Sequence, residues 1–155
     1  SAASDVYKRQ QLRGVDRTTR ITSAVLGKGA KIVVRERIMT DGDEEAVTKF
    51  HVELNGEDSG ADLVSRSVAR GNSHQAFYSV VEGNNRCTGH SACDAILADN
   101  GKVDAQPALN AANVDAALIH EAAIGKIAGE QILKLCSLGL TREEAEEKII
   151  EGFLK

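Results

Sequence analysis

Three soft donors fall close together in the run Cys87-Thr88-Gly89-His90-Ser91-Ala92-Cys93. Thiolate sulfur and neutral imidazole are the groups through which proteins hold zinc and iron, and a thiolate is also the nucleophile that accepts sulfur. The run therefore reads as a local C-x2-H-x2-C cluster for zinc or iron. A structural zinc site normally draws four ligands, as two pairs separated by a loop. Only three lie here, so the cluster is incomplete by itself. Packing is the competing explanation, because free cysteine is among the most commonly buried residue types. On that ground Cys87 reads as core, with a sulfur relay as its chemical alternative. Cys136, beside an apolar helical stripe, reads as packing.

Other chemistries are excluded more simply. Gly27-Lys28-Gly29-Ala30 lacks the spacing and the terminal Gly-Lys-Ser/Thr of a phosphate loop, so no ATPase activity is expected. There is no Gly-x-Ser-x-Gly elbow. The 19 basic and 23 acidic residues give a net charge of -4 without a basic run, which disfavours capture of nucleic acid or an anionic membrane. No segment has the length and apolarity of a membrane span and no signal peptide opens the chain, so the cytoplasm is the expected compartment. Three cysteines, an odd number in 155 residues, fit reduced thiols better than a disulfide framework.

The elements that must position these groups are of two kinds. From about Val15 the pattern is strand-like: Phe50, Val52 and Leu54 alternate with His51, Glu53 and Asn55, and Ile32, Val34 and Ile38 share a parity opposite to Val33, Arg35 and Arg37. Turn signals punctuate it at Gly27-Lys28-Gly29, Asp41-Gly42-Asp43, Asn55-Gly56, Ser59-Gly60, Gly71-Asn72, Gly83-Asn84-Asn85 and Asn100-Gly101. A sandwich, an up-and-down barrel and a parallel β-helix all remain open, and the two Asn-Gly pairs favour hairpins. Against hairpins stand an aromatic content of only 3 %, small residues at Ser65, Ser67, Ala69 and Ser79, and a recurrence at Gly29-Ala30, Gly60-Ala61 and Ser91-Ala92. Small side chains suit the narrow interior of a solenoid. After Asp115 the period becomes helical. Ile124, Ile127, Ala128, Ile132, Leu135 and Leu138 form one stripe that Gly139 ends, and Thr141 with Glu144 makes a capping box before a second stripe of Ala145, Ile149 and Phe153. Such short helices need a packing surface from the β body or a partner.

The segment from Leu118 to Phe153, with His120-Glu121-Ala122, Gly125-Lys126-Ile127 and the helical hairpin, resembles the C-terminal signature of the SufB/SufD family of iron-sulfur cluster assembly scaffolds. Weaker similarity extends upstream through Ser65-Arg66-Ser67-Val68, Gly71, Phe77, Cys93-Asp94-Ala95-Ile96-Leu97, Pro107 and Leu109. The resemblance implies a right-handed parallel β-helix followed by a short C-terminal helical hairpin. It divides the chain into residues 1–14, disordered or non-native, a β-helix core over 15–123 and a helical segment over 124–155. The opening Ser4-Asp5-Val6-Tyr7-Lys8-Arg9-Gln10 resembles translated adaptor sequence and is set aside from the fold. The chain starts at Ser1, its only methionine is Met39, and typical members are longer, so a fragment with an open first coil and a tendency to associate is expected.

Family resemblance also implies function. Cys93 matches the cysteine that accepts sulfur and helps hold a nascent iron-sulfur cluster. Glu121, with His120 beside it, matches a further ligand, and carboxylate or imidazole binds iron less firmly than thiolate, which suits a cluster handed on rather than kept. The bland reading makes Glu121 a cap or ion-pair partner and His120 a satisfied junction histidine. The metal-ligating set is then Cys93 and Glu121, with His90 and Cys87 as further candidates. Participation of a flavin is left open. The implied partners are a SufC-type ABC ATPase docked on Ile124 to Phe153 and a SufB/SufD-type subunit in a homo- or heterodimer. A SufD-like subunit that dimerises and binds the ATPase without holding the cluster is the alternative, and a buried, inert Cys93 would favour it. A β-helix enzyme acting on carbohydrate would need aromatic platforms and carboxylate clusters that the chain does not display.

Overall fold

A computed structural model describes the backbone of residues 5–12 and all residues from 16 to 155. Among these, strands β1 (Asp5–Leu12), β3 (Lys31–Thr40), β5 (Ser59–Ala69), β7 (Cys87–Leu97) and β9 (Ala116–Lys126) form one parallel sheet, in that order. Strands β2 (Arg17–Leu26), β4 (Glu45–Leu54), β6 (His74–Gly83) and β8 (Lys102–Ala111) form the other. The chain passes from sheet to sheet at every corner and never pairs with its immediate predecessor. This is a parallel β-solenoid, as the family resemblance implies, and it removes the sandwich, barrel and hairpin alternatives. From β2 onward one coil takes 28 or 29 residues, so that Ser59 pairs with Cys87 and Lys31 with Gly60, whereas the step from β1 to β3, Asp5 to Lys31, takes 26.

The register corrects several local readings. Asn55-Gly56 and Asn100-Gly101 turn the chain from one sheet to the other rather than closing hairpins, and Ser59-Gly60 opens β5. The Gly-Ala recurrence does not mark equivalent positions, because Gly60-Ala61 pairs with Lys31-Ile32 and Ser91-Ala92 with Leu63-Val64. The adaptor-like segment Ser4 to Gln10 overlaps β1, whose Asp5–Leu12 pairs with β3. A backbone ladder accepts almost any sequence without proline, so this pairing makes no demand on side-chain identity. Residues 1–4 and 13–15 lie outside the described residues.

Alternation decides what is inside. Ile32, Val34 and Ile38 face the interior with Phe50, Val52, Leu54, Leu63 and Val81, and the small residues Ser65, Ser67, Ala69 and Ser79 are buried beside them. Phe50 and Phe77 meet edge to face at 5.7 Å between centroids. Buried hydroxyls find one another: Ser79 and Ser91 lie 2.9 Å apart, and Gln75 Nε2 donates to Thr40 Oγ1 at 2.9 Å and to the Val68 carbonyl at 3.0 Å. Near the first coil an ion pair is enclosed, with Arg20 Nη1 2.9 Å from the wholly buried Glu36. Arg20 Nη2 also donates to Glu36 and to Thr48 Oγ1.

Helices α1 (Gly129–Ser137) and α2 (Arg142–Leu154) follow β9. Ile124, read as the first residue of the helical stripe, lies instead in β9, which continues to Lys126. Gly139, with φ of +97°, ends the first helix in a conformation that L side chains rarely adopt. Thr141 and Glu144 form the expected reciprocal capping box, at 3.2 and 2.8 Å. The second helix lies on the outer face of the odd-numbered sheet. Arg66 sits 6.0 Å from the Phe153 ring, Arg37 Nε donates to the Leu154 carbonyl at 3.1 Å, and Arg70 pairs with Glu147. Val68 has outward parity yet is 0 % exposed, which this helical cover explains.

Corners stack as tightly as strands. A Cβ at Gly56 would fall on the Gly27 carbonyl carbon and the Lys28 amide nitrogen one coil away, whereas nothing lies within 4 Å of one at Gly129. Backbone cannot yield as a flexible side chain can. Gly56→Ala should therefore cost about 2 kcal/mol or more by urea denaturation, while Gly129→Ala should be neutral or slightly stabilising within about 1 kcal/mol.

Candidate functional site

Strand parity divides the C-x2-H-x2-C run. Successive side chains of a strand point to opposite faces, so residues three apart cannot share one. Cys87 and Cys93 point into the solenoid, where Cys93 is 1 % exposed, and His90 points outward. The three do not converge on one ion. Cys93 lies in an inward row between Ser65 on β5 and Ala122 on β9. Burial, with a smaller contribution from the Asp94 charge, pushes its thiol up to about 11. At neutral pH it is a protonated, packed thiol rather than a thiolate. Cys87 is likewise buried, and Cys136 is half-buried on α1.

The neighbours His120 and Glu121 are parted by the same rule. His120 faces inward opposite Ser91, with its ring stacked on Phe77 at 6.5 Å between centroids. Both ring nitrogens are shielded from solvent without a hydrogen-bond partner. Desolvation lowers its pKa, with a smaller push from nearby His90, so the ring is held neutral. Glu121 faces outward opposite Ala92 and is largely exposed. Cys93 and Glu121 thus lie on opposite faces of one sheet.

Outside that sheet a charged chain crosses four strands. Arg35 on β3 pairs with Asp62 on β5, Asp62 Oδ1 lies 2.8 Å from His90 Nδ1, and His90 Nε2 lies 3.0 Å from Glu121 Oε2 on β9. Hydrogen bonds to Asp62 and then Glu121 raise the His90 pKa against the desolvation that lowers it. For Asp62, desolvation pushes the carboxyl up, but the bonds from His90 and Arg35 together outweigh it and the pKa is lowered. With both nitrogens engaged, His90 has no lone pair for a metal until a partner withdraws. Its present role is to tie β5, β7 and β9 together. His90 and Glu121 stand out in the sequence, whereas Asp62 and Arg35 do not. The coil period was the signal that could have found Asp62, which lies 28 residues before His90.

Two outcomes follow. A thiol reagent at neutral pH should label Cys136 first, with Cys87 and Cys93 reacting only on the timescale of unfolding; rapid labelling of Cys93 in the folded chain would contradict its packed state. The His90 ring should titrate above the ordinary histidine value of about 6.5 by NMR, and Glu121→Gln should lower it. Because the folded pKa is raised, the stability contributed by this ring is fully present below about pH 6.5 and lost as pH rises through the folded value.

Comparison with known proteins fits this architecture. The family described as "SUF system FeS cluster assembly, SufBD core domain" matches residues 10–153. An iron-sulfur cluster assembly SufBD family protein of Archaeoglobus fulgidus is 38 % identical over 125 residues, covering 80 % of this chain and 32 % of that protein. One of Methanothermobacter thermautotrophicus is 33 % identical over 135 residues, covering 86 % and 33 %. One of Methanocaldococcus jannaschii is 35 % identical over 114 residues, covering 72 % and 36 %. The chain thus spans about a third of the length of these curated relatives. Solenoid topology, helical hairpin and a match over nearly the whole sequence agree, and the chain belongs to the SufBD family of iron-sulfur cluster assembly proteins.

Proposed function

We propose that this chain acts in iron-sulfur cluster assembly as a SufD-like structural subunit, which pairs with a SufB/SufD-type partner and docks an ABC-type ATPase without itself holding the cluster. The observation that carries this reading is the position of Cys93, inward and protonated, with Glu121 on the opposite face. Two exposed surfaces suit the pairing and docking roles. Strands β8 and β9 end their sheets, so their outer backbone groups have no further strand beside them among the described residues, and Leu109, Val114, Ile119 and Ile124 are exposed nearby. An unpaired strand edge is a ready template for a second sheet. Leu133 on the first helix and Leu138 just after its end are 70 and 71 % exposed, an apolar surface of the kind that protein partners cover.

A second reading has its own support. Cys93 is shielded on one side by the terminal coil, through Ala122, and in the same strand His120 carries two unpartnered nitrogens. Displacement of β9 would bring a thiol and an imidazole into reach of the same cargo, and ATP-driven movement of a partner supplies such a displacement by family analogy. Cytoplasmic placement accompanies both readings, and no described helix is long and apolar enough to cross a membrane.

Anaerobic reconstitution with ferrous iron and sulfide, with the partner ATPase and ATP present so that β9 can be displaced, separates the two. The structural-subunit reading expects no stoichiometric cluster on the folded chain, and no difference between it and Cys93→Ser in visible charge-transfer absorption or bound iron. A stoichiometric cluster that disappears in Cys93→Ser would replace it with the scaffold reading.

A further inference from the structure

On the outer face of the even-numbered sheet, far in topology from the groups discussed above, His51 and Glu53 stand two residues apart on β4 and so share a face. Glu82 on β6 is in register with Glu53. A ring nitrogen of His51 and one carboxylate oxygen from each glutamate all lie within 4.8 Å of one another, with His51 Nε2 3.3 Å from Glu82 Oε2. All three side chains are partly or largely solvent-accessible, so an ion can reach them.

The arrangement is electrostatically unbalanced. Like charges directly opposite each other on neighbouring strands destabilise a sheet, and here two carboxylates face across a parallel ladder. Their row continues to Val25 on β2 and Asn110 on β8, neither of which carries positive charge. The row of His51 continues to Ser23, Val80 and Ala108, equally uncharged. Lys49, on the same face, is held over the Tyr78 ring at 5.6 Å. Among the described residues, Glu53 has one further polar contact, a marginal one from Asn55 Nδ2 at 3.5 Å. A divalent cation between the three donors removes the repulsion and uses the imidazole as well.

We propose that His51, Glu53 and Glu82 form a binding site for a divalent first-row transition ion, of the zinc, manganese or ferrous class. One imidazole with two carboxylates is a donor set these ions accept, whereas an ion that prefers thiolate finds no sulfur here. Donors on one such ion sit roughly 3–4 Å apart at bond lengths near 2.0–2.2 Å. The half-exposed side chains reach that spacing by small rotations on a rigid sheet. With three protein ligands the ion keeps water in its remaining positions. Binding ties β4 to β6, two successive coils, and is independent of where a nascent cluster is held, since His90 and Glu121 lie on the other sheet.

Cobalt(II) serves as the probe, titrated into the metal-free chain and followed by its visible ligand-field bands and by calorimetry. One ion per chain is expected, without the sulfur-to-metal charge-transfer band that cysteine ligation gives. His51→Gln and Glu82→Gln should each weaken binding about ten-fold or more, while Cys93→Ser, His90→Asn and Glu121→Gln leave it unchanged. Circular dichroism of the two site variants should match the parent, because the altered side chains face outward. Zinc should also raise the thermal midpoint of the parent and not of His51→Gln. The proposal is overturned by absence of saturable binding at millimolar cobalt, or by binding that survives both site variants.

Discussion

The parallel, in-register ladder between successive coils is the constraint on which everything else in this protein rests. It repeats a strand's inward and outward positions in every coil, so a side chain's parity fixes its neighbours one period away as well as its own face. Cys93 inherits an inward row from Ser65, and Glu121 inherits an outward one from Ala92. No rotamer change moves a side chain through the sheet. A shift of one residue would exchange the two faces, and it would also expose Leu63 and Val34 while burying Arg35 and Asp62. Burial of the core thereby fixes where each candidate ligand points.

The same stacking makes the interior narrow and partly polar. Serine and threonine fit where large side chains would clash, but each hydroxyl withdrawn from water must be bonded, since an unsatisfied buried group costs roughly 1–3 kcal/mol. Ser79 meets Ser91, and Gln75 bridges Thr40 to the Val68 carbonyl. Arg20 with Glu36 is a harsher case. Enclosing two charges is seldom a net gain over apolar packing, so the pair argues for specifying which coil stacks on which more than for added stability. Hydroxyl rows alone would tolerate exchange between coils; a single enclosed cation and anion do not.

Much of this was legible in the residues. Alternation at Phe50, Val52 and Leu54 gave the inward face directly, small residues at Ser65 and Ser79 anticipated a narrow interior, and Thr141 with Glu144 capped a helix as local chemistry requires. What local pattern could not give was pairing. Asn55-Gly56 has the same signature in a hairpin as at a solenoid corner, and only the long-range backbone bonds distinguish them. The spacing of Cys87, His90 and Cys93 suggested convergence because sequence proximity was read without strand parity. Asp62 and Arg35 were invisible for the opposite reason, being distant in sequence and adjacent in space. Ile124 was assigned to a helix because an apolar spacing of three occurs by chance at a strand end, where β9 still has a neighbour to pair with.

The final coil is where packing and function meet. An interior residue of a middle coil is shielded by coils on both sides, whereas β8 and β9 have one neighbour each, and their inward Val103, Ala105, Ala116 and Leu118 are only partly buried. Fewer buried contacts mean a lower free energy of local opening, so this coil separates from the body more readily than the middle coils do. The His90–Glu121 pair fastens β9 from outside, and the Phe77–His120 stack holds it from inside. A partner strand laid along β9 would add backbone bonds that reinforce the coil, while a partner that pulls on the helices after it would act against those two contacts. Burial of Cys93 is therefore a property of the last coil's attachment rather than of the cysteine's own strand, and the thiol's chemistry follows whichever partner controls that attachment.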